Sequence, residues 1–458
     1  MRLFKLQMLI TLTLIITSSC NHLTDKTLEK DAQITLPEIF SSGSKASITR
    51  HNWWQELPFK DLNNFINKAV NENLSIKQAR YRLEQIKALS MQVGAKQYPS
   101  LGITTRAKTT KIENEVTDST SIDEYSLGIA ASYEIDLWNK ISAQKKASIL
   151  NIKSSEKELE TITITLSARI AEIWVNIIAQ MQNIKQLRSL KKINESLLAT
   201  VQTRYLNGEA SSIDYLRQLK IVTNIKAQIP LSKETETLLR NELNILQGSS
   251  PDRKILIPEI VIPPLPAFPE TGLPVDLLHN RPDIKSSYLK LKAEIQNLYS
   301  AKANRMPSLK IDASLIFAAT TLSNLFDNWI SSLIGGIITP LIDGNLRKAE
   351  IEKMKLLVKQ KVTEYRLSIL TALKEVEDAI SKEHFKTINL HEFEKELQTA
   401  KQSLQLAILR YQKGEATYLM VATNLIELKN MEIILIQKKR NLWVARIALH
   451  RALGGNLK

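Results

Sequence analysis

The imidazole and thiol groups of this chain are few, and their spacing argues against metal or nucleophilic chemistry. His22, His51, His279, His384, His391 and His450 include no pair four residues apart, and Cys20 has no second cysteine with which to share a zinc ion. No glycine-rich phosphate loop, GxSxG elbow or plausible Ser-His-Asp set occurs. An enzyme is therefore not expected, nor a cofactor or bound metal, and energy for any work done must come from another protein. What remains with a chemical use is the Cys20 thiol. Arg2 and Lys5 precede an apolar run from Leu6 to Ile16, and "TSSC" closes it, which is the layout of an export signal. The run is short for a membrane span, which needs about 20 apolar residues.

A cysteine directly behind such a run resembles the lipoprotein signal of bacteria, which implies an acylated Cys20 at the mature N-terminus. Thr17 stands where that signal usually has leucine. Asn21 replaces the aspartate that usually retains lipoproteins in the inner membrane, which favours the outer one. Residues 1–19 are read as signal peptide and 20–60 as a lipidated N-terminal segment. With one cysteine no internal disulfide can form, so packing must hold an exported chain together.

Lys and Arg number 62 against 47 Asp and Glu, a formal net charge of +15. The cations are interspersed with acids along helical stretches rather than gathered in a block, so they read as solvated helix faces and not as a nucleic-acid surface. No later stretch reads as a long uncharged apolar run, so no α-helical membrane crossing is expected.

The chain says nearly the same thing twice. "RYLNGEASSID" begins at Arg204 and "RYQKGEATYLM" at Arg410; "YPSL" at Tyr98 answers "MPSL" at Met306, Asp136 answers Asp343, and "LQG" ending at Gly248 answers "LGG" ending at Gly455. A nearly constant offset across four landmarks predicts a duplicated unit, residues 61–248 and 275–455, joined by a Pro-rich linker at 249–274. Each copy reads as a helix (61–97 and 275–305) stopped by proline, two short segments, and a very long helical hairpin. Gly and Pro are absent between Gly128 and Gly208 and between Gly344 and Gly414, so helices are expected from about Trp138 to Tyr205 and from Leu346 to Tyr411. At about 1.5 Å per residue each approaches about 100 Å.

Those helices carry paired seams. Val358, Val362, Tyr365, Ile369, Ala372, Val376 and Ala379 keep a 4,3 spacing, with Leu370, Leu373, Glu377 and Ile380 beside them. In the first copy Leu166, Ile170, Ile173 and Ile177 run beside Ala171, Trp174, Ile178 and Met181. Two seams give each helix two neighbours, which predicts a tube rather than a two-stranded coil. Between the helices, strands are expected at about 101–109, 125–135, 309–317 and 329–339. The first three alternate cleanly; one face carries Leu101, Ile103, Tyr125, Leu127, Ile129, Leu309, Ile311, Leu315 and Phe317. Four such strands suit part of a transmembrane β-barrel but cannot close one, so several copies must pool them.

The motifs "NWW", "YPSL", "YEIDLWNK", "RYLNG", "LPVDLLHNRPDI", "MPSL", "TPLIDGNLRKAE", "ALKEVEDAI", "RYQKGEATYL" and "LGG" occur in one order along the mature chain. In this the sequence resembles the TolC-like outer membrane factors, exit ducts of tripartite efflux systems, and within them the lipoprotein branch. The resemblance implies a mainly α protein with a small transmembrane β part. A homotrimer would complete an α-helical barrel and a 12-stranded β-barrel in outer-membrane lipid. Its partners would be a periplasmic adaptor (membrane fusion) protein and an inner-membrane efflux pump, with no nucleic acid. It places Arg204, Tyr205, Gly208, Asp214, Arg410, Tyr411 and Gly414 at the periplasmic tips, with Tyr411 matching a gate tyrosine and Asp214 an acidic position. Ala416 and Thr423 stand where relatives often carry aspartate. A lipidated periplasmic coiled-coil adaptor or envelope scaffold without a pore would keep the seams and Cys20 but leave the strands unexplained.

Overall fold

The computed structural model describes residues 34–41, 53–114, 117–258, 261–269 and 271–455; Cys20, His22 and His51 lie outside them. In chain order come α1 (Lys60–Glu72), α2 (Leu74–Ala95), β1 (Ser100–Asn114), β2 (Thr117–Ile135), α3 (Lys140–Leu206) and α4 (Ser212–Leu246). The second half supplies α5 (Asp276–Asn280), α6 (Pro282–Ala303), β3 (Ser308–Ala319), β4 (Trp329–Ile338), α7 (Leu346–Gln412) and α8 (Tyr418–Ala452). Helices α3 and α7 are each 67 residues long, and α4 and α8 are each 35.

The helices lie four abreast. Helix α3 packs on α2 and α4 along one side and on α6 and α8 along the other, and α7 packs on α6 and α8. The shorter helices meet end to end. Asn73, just before α2, donates from Nδ2 to the Leu246 carbonyl at the foot of α4 (2.7 Å), and Arg281, just before α6, donates from Nη1 to the Ala452 carbonyl of α8 (2.9 Å). These joints break the two helices expected to be continuous. Asn73 ends α1 and its Oδ1 accepts the Ile76 N–H (3.0 Å), starting α2 afresh. Pro282 bars Arg281 from the helical region and separates α5 from α6.

Both α3 seams are buried, apart from the half-buried Met181. They pack against Trp53, Trp54, Phe59, Leu62 and Ile66, which form a girdle at mid-height with Leu243 and Trp443. Helix α3 also holds an apolar stretch of 18 residues, and nearly three-quarters of it (72%) is buried inside the protein, as suits a core helix. On α7 the first seam is buried but for the half-buried Tyr365, whereas Leu370 of the second stays 52% exposed. Helix α7 is the edge of the layer and has no neighbour there among the described residues.

The strands form one antiparallel meander in the order β1-β2-β3-β4. Register places Leu101, Ala131, Ala313 and Leu333 in one row and Ile103, Ile129, Leu315 and Ser331 in the next, so the expected apolar faces merge into one. Strands β1 and β2 run well past 109 and 125. Thr and charged residues blur the alternation there, and the ladder continues through pairs such as Thr109 and Asp123, whose side chains bond at 2.8 Å.

Candidate functional site

Each long helix turns back through the same device. At Gly208 (φ +75°) the backbone enters the left-handed region; Glu209 N–H donates to the Arg204 carbonyl (2.8 Å) and Gly208 N–H to that of Tyr205 (3.0 Å). At Gly414 (φ +77°) the same bonds run from Glu415 to Arg410 (2.9 Å) and from Gly414 to Tyr411 (3.0 Å). These are Schellman closures, and glycine alone occupies that conformation without strain. Thus Arg204, Tyr205, Gly208, Arg410, Tyr411 and Gly414 all sit in the turns, as two tips at one end of the molecule. Tyr205 stacks on Tyr215 across the first tip (5.8 Å) and Tyr411 meets Tyr418 edge-on across the second (5.9 Å).

The returning helices start differently. Ser211 caps α4, accepting from Asp214 N–H (3.2 Å) while its hydroxyl donates to the Asp214 carboxylate (2.7 Å). That hydroxyl holds the Asp214 carboxyl below the usual range, so the exposed side chain is anionic. Thr417 caps α8 in the same way, but its partner is Met420, whose N–H it accepts at 3.4 Å. Thr423 turns its hydroxyl to the Leu419 and Met420 carbonyls (both 3.0 Å), and Ala416 is half-buried in the turn. The S-x-x-D spacing was a readable cap signal in the sequence.

Two charge clusters, each centred on a buried arginine, brace the helical layer far from the tips. Arg281 of "NRPDI" pairs with Asp283 (2.6 Å) and with Glu375 of "EVEDAI" (2.9 Å), beside the C-terminal "LGG". A Cβ on Gly454 (φ +95°) would come within 3.2 Å of Arg281. Arg446 on α8 binds Glu383 on α7 through two bonds (2.5 and 2.9 Å) and donates to the Ala267 carbonyl of the linker (2.9 Å). Beside it His450 stacks on Trp53 (5.4 Å); burial, then the Arg446 charge, push its imidazole down to about 4, so it is neutral. The motifs were visible in the sequence, but their meeting was not.

At the opposite end, Asn139 (φ 57°) and Asn345 (φ 68°) take the left-handed conformation where β2 and β4 hand over to α3 and α7. Trp138 Nε1 donates to the Pro307 carbonyl (2.7 Å) and Arg347 Nε to that of Asn304 (2.9 Å), locking the sheet to the helices.

Both flanks of this assembly lack a partner among the described residues. On one side Leu231, Leu238 and Ile245 of α4 stand exposed at heptad spacing below Leu74, Tyr81 and Leu89 of α2. On the other, Leu356, Leu367, Leu370, Phe385 and Ile388 of α7 are exposed. Strands β1 and β4 end the sheet with one free edge each.

A four-abreast helical layer with matched hairpins, carried into a sheet with an apolar outer face, defines a class: the channel proteins of the outer membrane. Solved structures share it. The chain superposes on OprN, an outer-membrane channel, with a TM-score of 0.84 at 21% identity, covering 93% of this chain and 97% of that one. It superposes on VceC of Vibrio cholerae with 0.80 at 25% identity, covering 89% and 99%. Among curated relatives, the pyoverdine export outer membrane protein OpmQ of Pseudomonas aeruginosa is 27% identical over 88% of this chain and 87% of its own length. The solvent efflux pump outer membrane protein SrpC of Pseudomonas putida is 26% identical over 87% and 86%. The outer membrane efflux protein family matches residues 65–246 and again 273–455, and the chain belongs to it. It is an outer-membrane protein of a non-enzymatic transport family.

Proposed function

We propose that three copies of this chain close into one passive exit duct, a 12-stranded barrel in the outer membrane continuous with a periplasmic tube of helices. It receives small molecules from an adaptor and an inner-membrane efflux pump. The observation that carries the reading is the pair of unpartnered flanks. The α7 edge and the α2/α4 edge are both apolar, and the β4 and β1 edges both have unpaired backbone groups, which lipid does not tolerate. Joining one flank to the opposite flank of the next copy satisfies both at once, and such head-to-tail contacts generate a closed ring. The test is native mass together with single-channel recording of the reconstituted protein: a monomer, or a folded trimer without conductance, ends the proposal.

Within this reading 61–248 and 275–455 are the two repeats and 249–274 the linker, and the two tips per copy form a near-sixfold entrance. Asp214 and Tyr411 have exposed polar groups that a neighbouring tip can engage, so they hold the entrance closed as well as shaping their turns. Asp214→Ala should raise the leak of the closed channel, while loss of the reciprocal cap loosens only the first turn of α4. An unchanged leak would leave Asp214 a capping residue only. Acylation of Cys20 anchors the ring at a second point. Labelled palmitate should enter the wild type and not Cys20→Ala, and trimers should persist in the variant because barrel insertion is separate from acyl insertion.

A further inference from the structure

The excess of positive charge is not spread evenly over the tube. Level contacts define its upper half: Ser154 meets Ser286 (2.9 Å), Ser90 meets Ser148 (2.8 Å), and Tyr288 meets Tyr365 (5.4 Å). The segments 74–96, 140–160, 282–305 and 346–370 make up this band between the strands and the girdle. Together they hold 22 Lys and Arg against nine Asp and Glu, a net of +13 out of the +15 of the whole chain. The rest of the molecule is nearly neutral.

At the top of the band the inner side can be identified. A cavity of about 730 Å³ is lined by Ser132, Glu134 and Lys310, which lie on the polar face of the strands, and by Lys96, Lys140 and Glu350 of the adjoining helical segments. Lys140 is paired with Glu134 and Glu350 with Lys353 (2.9 Å), and Lys96 and Lys310 are the other cations on the lining. Cations therefore line the passage where the helices open into the barrel.

From these observations we infer that the upper lumen of the duct is an anion-favouring zone, and that the chain serves the export of small anionic molecules bearing carboxylate or phosphate groups. This rests on the duct reading above. The wall is one helix thick, about 10 Å, and the Debye length is about 8 Å at physiological ionic strength. Outward charges are largely screened across such a wall, so the lumen-facing lysines act on passing ions, and a narrow passage with low-dielectric walls focuses their field. A threefold ring triples the excess. Anions are concentrated along the path and cations depleted.

The purified full chain in planar bilayers under a potassium chloride gradient should show a reversal potential of anion-selective sign, with chloride favoured over potassium about threefold or more. Inorganic pyrophosphate should block the current at lower concentration than a polyvalent cation. The double variant Lys96→Glu with Lys310→Glu should keep its trimer and conductance while its selectivity falls toward unity. A conducting channel that is cation-selective or unselective overturns the inference and leaves the duct standing; a folded trimer with no conductance overturns the duct and the inference with it.

Discussion

Glu383→Ala is expected to destabilise the folded chain by about 3–5 kcal/mol. Glu383 and Arg446 are 4% and 3% exposed, and their two bonds join α7 to α8. Removing the carboxylate leaves a guanidinium in the interior with the linker carbonyls of Pro266 (3.3 Å) and Ala267 (2.9 Å) and the face of Phe268 (5.7 Å) to hold it, and no counter-charge bound to it. The damage should spread locally, because the same arginine holds the linker against the girdle through those carbonyls. Urea unfolding reads it directly as a lowered midpoint. The double variant Glu383→Leu with Arg446→Met should recover most of the loss, since a well-packed apolar pair of similar volume substitutes for a buried ion pair. If the single variant unfolds at the wild-type midpoint, the pair contributes nothing net.

The largest functional effect is expected from Leu238→Asp. Leu238 is 59% exposed in the single chain, at the centre of the stripe formed with Leu231 and Ile245. Within one copy the substitution should be silent, leaving helical content and the girdle intact. In a ring the same position is covered by the α7 flank of the neighbour, where an unpaired carboxylate costs several kcal/mol at each contact. Three such contacts per ring should abolish both the trimer and its conductance. Leu238→Met, which keeps the apolar surface, should assemble normally. Assembly of the aspartate variant at wild-type yield would show that this flank is not a subunit contact.

Much of the helical architecture was legible from spacing. The seam from Val358 to Ala379 predicted its own burial because a 4,3 repeat places those side chains on one stripe of any α-helix, whatever it meets. Gly208 and Gly414 were equally legible, since few other residues close a Schellman turn. The break at Asn73 was not, because an asparagine inside a periodic pattern reads as a polar helix position until its cap bonds form. Strand residues 110–114 and 117–124 escaped because alternation needs apolar residues to be seen, and a ribbon of Thr, Asp and Lys pairs through its backbone. At the candidate site the two glycine turns were legible, but the exchange of Asp214 for Met420 at the matching cap emerged only from the two hairpins side by side.

The sequence by itself determined which face of each helix and strand is apolar, where the chain turns, and that the grammar occurs twice, since these follow from local periodicity and backbone sterics. Only the tertiary structure decided partners. It set β2 beside β3 across nearly two hundred residues, brought Arg281 to Glu375 and Arg446 to Glu383, and left the α2/α4 and α7 flanks bare. The physical reason is that burial drives apolar faces together without naming their mates; the choice is made by length, register and the few polar groups that must find partners once water has gone.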